Sequence, residues 1–570
     1  MNIDLSLLDK TDKKKFYLII ILGLLGTVFE IIGIGLIVPF LIIITDLNVL
    51  ENNIYIKEFS AILGIEERIN LIQISIIILL IIFSIKLAFL TYLSWFKHSF
   101  SYNVQSKIST RLFRIFLKQP YIYFSQLNSS KLIQETKDEP AVYCSGMIVG
   151  KIDMISEMLI ICGICILLLF YNFLPSIIIF LIVLGILITY RVVFRKSALR
   201  WSKQKKYFES LSYNILKYVY NSIIEVKINS KEKIVADKHE SYVFSGVENS
   251  KKQMFMTDVP RLYLEYIAVF LFLIFILFAF KYYNDFSEFL PSVALFSVSA
   301  FKILPSINRV VIGIQKINFS KNSSNVISDL LKLDIKNELP TSNKSIEFRN
   351  NIELKNVSFG YSAKKTIIKN LNLDIKFGEI IGIKGTSGAG KTTLVNLMLG
   401  LLNPDKGEIL IDTKNLNEYV KGWQKIVSYA PQRTYILDDT IKRNICFEEE
   451  DKNIDIKYFN SILALASIDK LTKDLDDNVD TFIGENGSQL SGGQIQRIGF
   501  ARAIYKNPKF IVLDEITSSL DNNNEQIILD SVKSLSQKMT VLLISHREEP
   551  LKICNRVFEL KNGNLNIINN

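Results

Sequence analysis

The sequence predicts an α-helical domain of six membrane spans fused to an α/β domain of the P-loop kind. Two observations predict it. Long apolar runs rich in Ile, Leu and Phe fill the first half, and the octet GTSGAGKT stands at Gly385–Thr392 in the second. A chain of 570 residues, 49% of them apolar, is long enough for several domains. The expected limits are 1–325 for the membrane domain, 326–349 for a linker and 350–570 for the second domain. The Asn/Lys-rich stretch Asp334–Ser345, with Pro340, forms the connection.

A helix needs roughly 20 apolar residues to cross about 30 Å of hydrocarbon. Runs of that kind lie near 16–45, 71–96, 152–174, 175–194, 262–282 and 290–312. A buried core helix is the alternative for any one of them. Ile74–Ile85 and Ile177–Ile188 are too uniformly Ile and Leu for that. The first run is too long for a cleaved signal peptide, and no small-residue cleavage site follows it.

Charge orients the spans. Lys13–Lys15 precede the first, and the stretches 97–140 and 191–254 are rich in Lys and Arg, whereas the loop 46–70 leans acidic. Basic loops stay inside, so both termini and both long polar stretches are expected in the cytosol. Basic cytosolic faces beside anionic lipid account for the net charge of +11 without a nucleic-acid partner. Cys144, Cys162, Cys165, Cys446 and Cys554 make no metal pattern, and His98, His239 and His546 are too few for a His-rich site.

GTSGAGKT fits G-x-x-x-x-G-K-[ST] without a gap. It follows the apolar run Ile380–Ile383 and precedes the helical pattern Leu394–Leu399, the strand–loop–helix context the motif requires. Glycines 385, 388 and 390 let the backbone N–H groups of Gly385, Thr386, Ser387, Gly388, Ala389 and Gly390 turn toward phosphate oxygens. The following helix adds its positive end, with Thr392 and Thr393 in its first turn. Lys391 is expected on the β- and γ-phosphates and the Thr392 hydroxyl on Mg2+. Further on, KFIVLDE at Lys509–Glu515 is an apolar strand ending in two carboxylates. Asp514 is expected near Mg2+ through water and Glu515 near the attacking water, as a general base.

From about 350 to 565 the chain resembles the nucleotide-binding domain of ATP-binding-cassette (ABC) transporters. The resemblance rests on these motifs and on others in the family's order. FGY carries Tyr361, APQ carries Gln432, TFIGENG carries Glu485, LSGGQ spans Leu490–Gln494, SSLD carries Asp521 and ISHR carries His546. It implies that Tyr361 stacks on adenine and that Gln432 contacts Mg2+ and senses the membrane domain. It also implies that Ser491, Gly492, Gly493 and Gln494 cap the nucleotide of a partner, that Asp521 couples two sites, and that His546 contacts the γ-phosphate. ATP and Mg2+ are the implied ligands. No catalytic position is degraded, which favours a homodimer with two competent sites. In ABC exporters the long polar stretches end in coupling helices, here expected at Tyr121–Ser130 and Asn221–Lys231.

Charged residues inside spans are costly and tend to face cavities. Lys86, Arg261 and Arg309 lie about 22, 30 and 28 Å from the outer surface at ~1.5 Å per residue. In a dimer they would line one level of a shared cavity and suit an anionic phosphate or pyrophosphate head group. Snorkelling at the cytosolic interface is the alternative. Glu30, at mid-depth of the first span, has no assigned role. In the first outer loop, Ile56, Phe59, Ile62 and Leu63 recur at helical spacing before Gly64. That pattern predicts a short amphipathic helix lying on the membrane or packed on its own domain.

The first half also resembles bacterial ABC flippases of lipid-linked oligosaccharides, through VPRLYLE (Val259–Glu265), LPSINR (Leu304–Arg309), Phe29–Phe40 and the outer helix. The resemblance implies ATP-driven translocation of a polyprenyl-pyrophosphate oligosaccharide across a bacterial cytoplasmic membrane, with membrane lipids as neighbours. Lys86 stands where Arg is expected, keeping the charge but losing the bidentate fork. An exporter of another lipid, peptide or drug, or an ATP-gated regulator or channel, remains open.

Overall fold

A computed structural model describes residues 7–45, 54–64, 67–125, 127–171, 195–282, 286–336, 344–361, 365–447, 453–473, 475–484 and 487–568. The chain divides into two compact units. One comprises Met1–Leu117 and Asn128–Lys336, the other Lys118–Leu127 and Asn337–Asn570.

The first unit is helical. It holds α1 (Lys10–Gly35), α2 (Ile37–Thr45), the short outer helix α3 (Ile54–Leu63) and α4 (Arg68–Leu117). The short helix α5 (Tyr121–Ser125) follows α4 and belongs to the second unit. A further helical run starts at Ser129. It passes through two π-helical stretches, Gln134–Asp138 and Tyr143–Val149, before α6 (Gly150–Tyr171). Pro140 sits between those stretches and lacks the N–H a regular helix would use, which favours such widened turns. Then come α7 (Arg195–Asn221), α8 (Ile223–Ile228), α9 (Glu232–Tyr282) and α10 (Phe286–Lys336).

Four described helical segments are long and apolar enough to cross a membrane: Lys10–Ile44, Arg68–Leu117, Ser129–Phe170 and Val293–Leu333. They overlap the first, third and sixth expected spans and contain the second. The fourth, 175–194, lies outside the described residues, and the fifth, 262–282, is the end of α9. Leu80, Ile81, Ile85 and Leu87 of α4 are exposed, an apolar surface that a water-facing helix would not carry. The helices approach closely: a Cβ on Gly313 would come within 3.1 Å of the Gly150 carbonyl.

Two sequence expectations are modified here. Residues 326–336 are the end of α10 rather than linker, because Ile327 and Leu330 keep the apolar repeat and are buried. At the other end of the expected linker, Ile346 and Phe348 join the core of the second unit; residues 337–343 lie outside the described residues. The outer helix forms and ends at Gly64 with φ +66°, but its apolar face is divided. Ile56 packs with Ile43 and Leu71, while Ile62 is exposed; the Phe59 and Leu63 side chains lie outside the described residues.

The second unit is α/β. An antiparallel sheet runs in the order β2 (Ile368–Lys376), β1 (Asn351–Phe359), β4 (Lys406–Ile411), β5 (Lys414–Asn415). A second sheet has the order β10-β9-β3-β8-β7-β6. Its strands are β3 (Ile380–Lys384), β6 (Val427–Ala430), β7 (Phe510–Asp514), β8 (Thr540–Ile544), β9 (Arg556–Lys561) and β10 (Asn564–Ile568). β6, β7, β8, β3 and β9 run parallel. The apolar runs of the central strands β3, β7 and β8 are buried, as a parallel sheet covered on both faces requires. Register decides what meets at the end of this sheet. Ile383 pairs with Ile544, Asp514 with Ile544, and Ala430 with Leu513. The segments that leave β3, β7, β8 and β6 therefore emerge side by side.

Candidate functional site

The loop after β3 leads into α11 (Lys391–Met398). Gly388 and Gly390 take φ values of +80° and +105°, which disfavour any side chain. Gly385 is fixed by space instead: a Cβ there would lie 2.6 Å from the Leu560 carbonyl oxygen. Gly390 caps α11 without a side-chain hydrogen bond, so no cap side chain claims the first-turn N–H groups. Thr386, Ser387 and Gly388 are exposed and Ala389 is buried. Thr392 is exposed, whereas Thr393 is buried. Lys391 Nζ folds back to donate to Gly385 O at 2.6 Å and Thr386 O at 3.2 Å. Burial holds its pKa below the ordinary lysine range, opposed by the charges of Glu515 and Asp514.

Asp514 ends β7 and Glu515 follows in a left-handed conformation, φ +52°, uncommon for a non-glycine and costly to hold. Gln432 Nε2 donates to Glu515 Oε2 at 2.7 Å. His546 Nε2 lies 3.0 Å from Glu515 Oε1 and 2.9 Å from Lys391 Nζ. One nitrogen cannot accept from Lys391 and donate to Glu515 at once, so the proton on Nε2 decides which neighbour it bonds. Tyr429 Oη donates to Asp514 Oδ2 at 3.1 Å. Burial raises the Asp514 pKa; the Tyr429 bond opposes that, the Glu515 charge adds to it, and Lys391 and His546 oppose it. The parallel sheet thus brings together five residues that sequence reading nominated separately, namely Lys391, Gln432, Asp514, Glu515 and His546. Tyr429 was not nominated, because an aromatic at a strand end carries no motif.

Ser491 caps α12 (Gly492–Tyr505) through a reciprocal pair. Gln494 N–H donates to Ser491 Oγ at 3.3 Å, and Ser491 N–H donates to Gln494 Oε1 at 2.7 Å. A Cβ on Gly493 would meet Ser519 O at 3.0 Å. Asp521 precedes α13 (Asn522–Leu535); hydrogen bonds from the Asn524 side chain and nearby backbone hold its carboxyl low. Tyr361 is 40% exposed, and its ring stands nearly perpendicular to that of Phe359, with centroids 5.2 Å apart. Glu485 lies outside the described residues.

Lys86 and Arg309 are not bare cations. Glu30 of α1 accepts from Lys86 of α4 and from Lys302 of α10, each at 2.7 Å. Arg309 pairs with Glu157 of α6 at 2.7 Å. The sequence alone assigns Glu30 no role and does not single out Lys302 and Glu157. Both are charges inside apolar runs, so the signal was present. Pairing answers the cost of charge in lipid, and it leaves three cations against two carboxylates. The Arg261 side chain lies outside the described residues.

Residues 368–518 match the protein family described as ABC transporter. That segment contains the phosphate loop, Gln432, Ser491–Gln494, Asp514 and Glu515, while Tyr361, Asp521 and His546 fall outside it. The chain is 36% identical over 221 residues to the leukotoxin translocation ATP-binding protein LktB of a Pasteurella haemolytica-like species. It is 36% identical over 220 residues to ABC transporter B family member 29, chloroplastic, of Arabidopsis thaliana, and 34% identical over 220 residues to the ATP-dependent lipid A-core flippase of Ralstonia nicotianae. Each match covers 38% of this chain but only 31%, 35% and 37% of those proteins, respectively. A solved bacterial Atm1-family ABC exporter with ATP bound superposes over 98% of this chain and 95% of its own, with a TM-score of 0.77 at 17% identity. The chain therefore has the fold of an ABC exporter, a helical membrane domain followed by an α/β ABC ATPase domain.

Proposed function

We propose that the protein is an ATP-driven exporter or flippase that works as a homodimer in a bacterial cytoplasmic membrane. The observation that carries this reading is the cluster of Lys391, Gln432, Asp514, Glu515 and His546 at one end of the parallel sheet. In this reading the loop N–H groups and the start of α11 take the phosphates. Lys391 exchanges its two carbonyl contacts for the β- and γ-oxygens. Glu515, held by Gln432, orients water and accepts its proton. His546 adds a donor toward the γ-phosphate. Thr392, Gln432 and Asp514 offer oxygen donors, which suit the hard cation Mg2+. When bound, Mg2+ supplies neutralisation of phosphate charge. Tyr361 stacks on the adenine. Ser491, Gly492, Gly493, Gln494 and Asp521 of one copy serve the nucleotide of the other.

For the cargo we propose an amphipathic anion, and within that class a polyprenyl-pyrophosphate oligosaccharide moved from the inner to the outer leaflet. Lys86, Arg261 and Arg309, with Lys302 added, support it. A phosphate group would compete with Glu30 for Lys86 and Lys302. The second reading, an exporter of another lipid or of a polypeptide, is favoured by the charge pairing at these residues. The names of the lipid A-core flippase and the leukotoxin translocator point the same way. The test is flipping in proteoliposomes with lipid-linked oligosaccharide, a lipid A-like lipid and a neutral lipid, each with Glu515→Gln as control. ATP-dependent flipping of the first alone, lost when Lys86, Lys302 and Arg309 are all Ala, supports the pyrophosphate reading. Flipping of the first that survives those changes removes it.

A further inference from the structure

We infer that Tyr429 is the positioning residue for Asp514. This inference rests on the reading of Asp514 as the carboxylate that addresses Mg2+.

The hydroxyl of Tyr429 donates to Asp514 Oδ2 at 3.1 Å. The partner is chosen by register, because β6 lies parallel beside β7 and Tyr429 pairs with Val512. The tyrosine sits one residue before the strand's end, as Asp514 sits one residue beyond Leu513, the partner of Ala430. The ring packs against the apolar core cluster that includes Trp423, Phe510 and Leu399, and Ile122 of α5 packs on the same cluster. A ring fixed on that side cannot swing its hydroxyl far. It pins one carboxylate oxygen and limits rotation of the group, which leaves Oδ1 to meet a metal-bound water in one orientation. Tyr429 thus acts through Asp514, its hydrogen-bond partner. Gln432, two residues beyond β6, contacts Glu515. One strand thus orders both acids, Asp514 through Tyr429 and Glu515 through Gln432.

A hydrogen bond to a metal-ligating group that is removed typically lowers metal affinity 10–100-fold. Tyr429→Phe keeps the ring and deletes the bond. In the full-length protein, Mn2+ titrated by electron paramagnetic resonance in the presence of a non-hydrolysable ATP analogue should bind about 10-fold more weakly. Metal-free affinity for the same analogue should stay within about twofold. In an Asp514→Asn background, which has no carboxylate to orient, Tyr429→Phe should change Mn2+ affinity by less than twofold. Unchanged Mn2+ affinity in Tyr429→Phe overturns the inference. So does an equal loss of metal-free nucleotide affinity, since that marks a packing role. If the wild-type protein shows no nucleotide-dependent Mn2+ binding, the reading of Asp514 fails first.

Discussion

Glu30→Gln is the sharpest perturbation the helical unit offers. The Glu30 side chain is 5% exposed and is bonded at 2.7 Å by lysines from two other helices. Removing one partner of a buried ion pair costs about 3–5 kcal/mol, because an uncompensated charge stays behind. Two charges stay behind here, but the Lys86 and Lys302 side chains are 14% and 30% exposed and can recover some hydration. The lower end, about 3 kcal/mol, is therefore expected. Deleting all the charges is a different matter. Glu30→Met with Lys86→Met and Lys302→Met leaves no orphan and should recover most of the loss. Thermal and SDS unfolding of the nanodisc-embedded protein measures both. Two outcomes refute the reasoning: a Glu30→Gln protein as stable as wild type, or a triple variant less stable than the single one. In the single variant, an anionic amphiphile should stabilise more than it does in wild type, since it would replace the missing carboxylate.

Three further outcomes follow from the ATPase unit. Glu379 receives Nε and Nη2 of Arg556 and the Lys376 N–H. Burial raises its pKa, but those bonds outweigh burial and the net shift is downward. Its contribution is thus fully present above the ordinary glutamate value of about 4.3 and is lost as pH falls through the lower folded value. Glu379→Gln should cost about 2 kcal/mol at pH 7, and the gap to wild type should narrow below about pH 4 in thermal scans. Ser491→Ala removes the reciprocal cap of α12 and should cost ~1 kcal/mol, read by thermal unfolding without nucleotide. Gly385→Ala puts a methyl 2.6 Å from the Leu560 carbonyl oxygen, where backbone must yield. A loss of about 1–3 kcal/mol together with weaker ATP binding is expected, measured by unfolding and by a fluorescent nucleotide titration.

What was legible in the sequence followed what is contiguous in it. The phosphate loop needs a strand before it and a helix after it, and both stand within a few residues, so β3 and α11 were readable. Lys509–Glu515 was readable for the same reason. Partners set by packing were not. Tyr429 meets Asp514 only because β6 and β7 are neighbours in parallel register. Glu30 meets Lys86 and Lys302 only because α1, α4 and α10 pack side by side. A depth estimate along each helix could align charges of one sign, but it could not say that an acid stands between them. The end of the membrane domain was misplaced for a related reason. Hydropathy falls before α10 stops, whereas the helical repeat at Ile327 and Leu330 continues.

The central claim is that Glu515, set between Gln432 and His546, takes the proton in ATP hydrolysis by the purified full-length protein. ATP turnover of wild type and Glu515→Gln in nanodiscs tests it most directly. General-base catalysis contributes about 10²–10⁴-fold, so the variant should hydrolyse ATP at least ~100-fold more slowly while binding ATP as tightly as wild type. Turnover near the wild-type rate in the variant would contradict it.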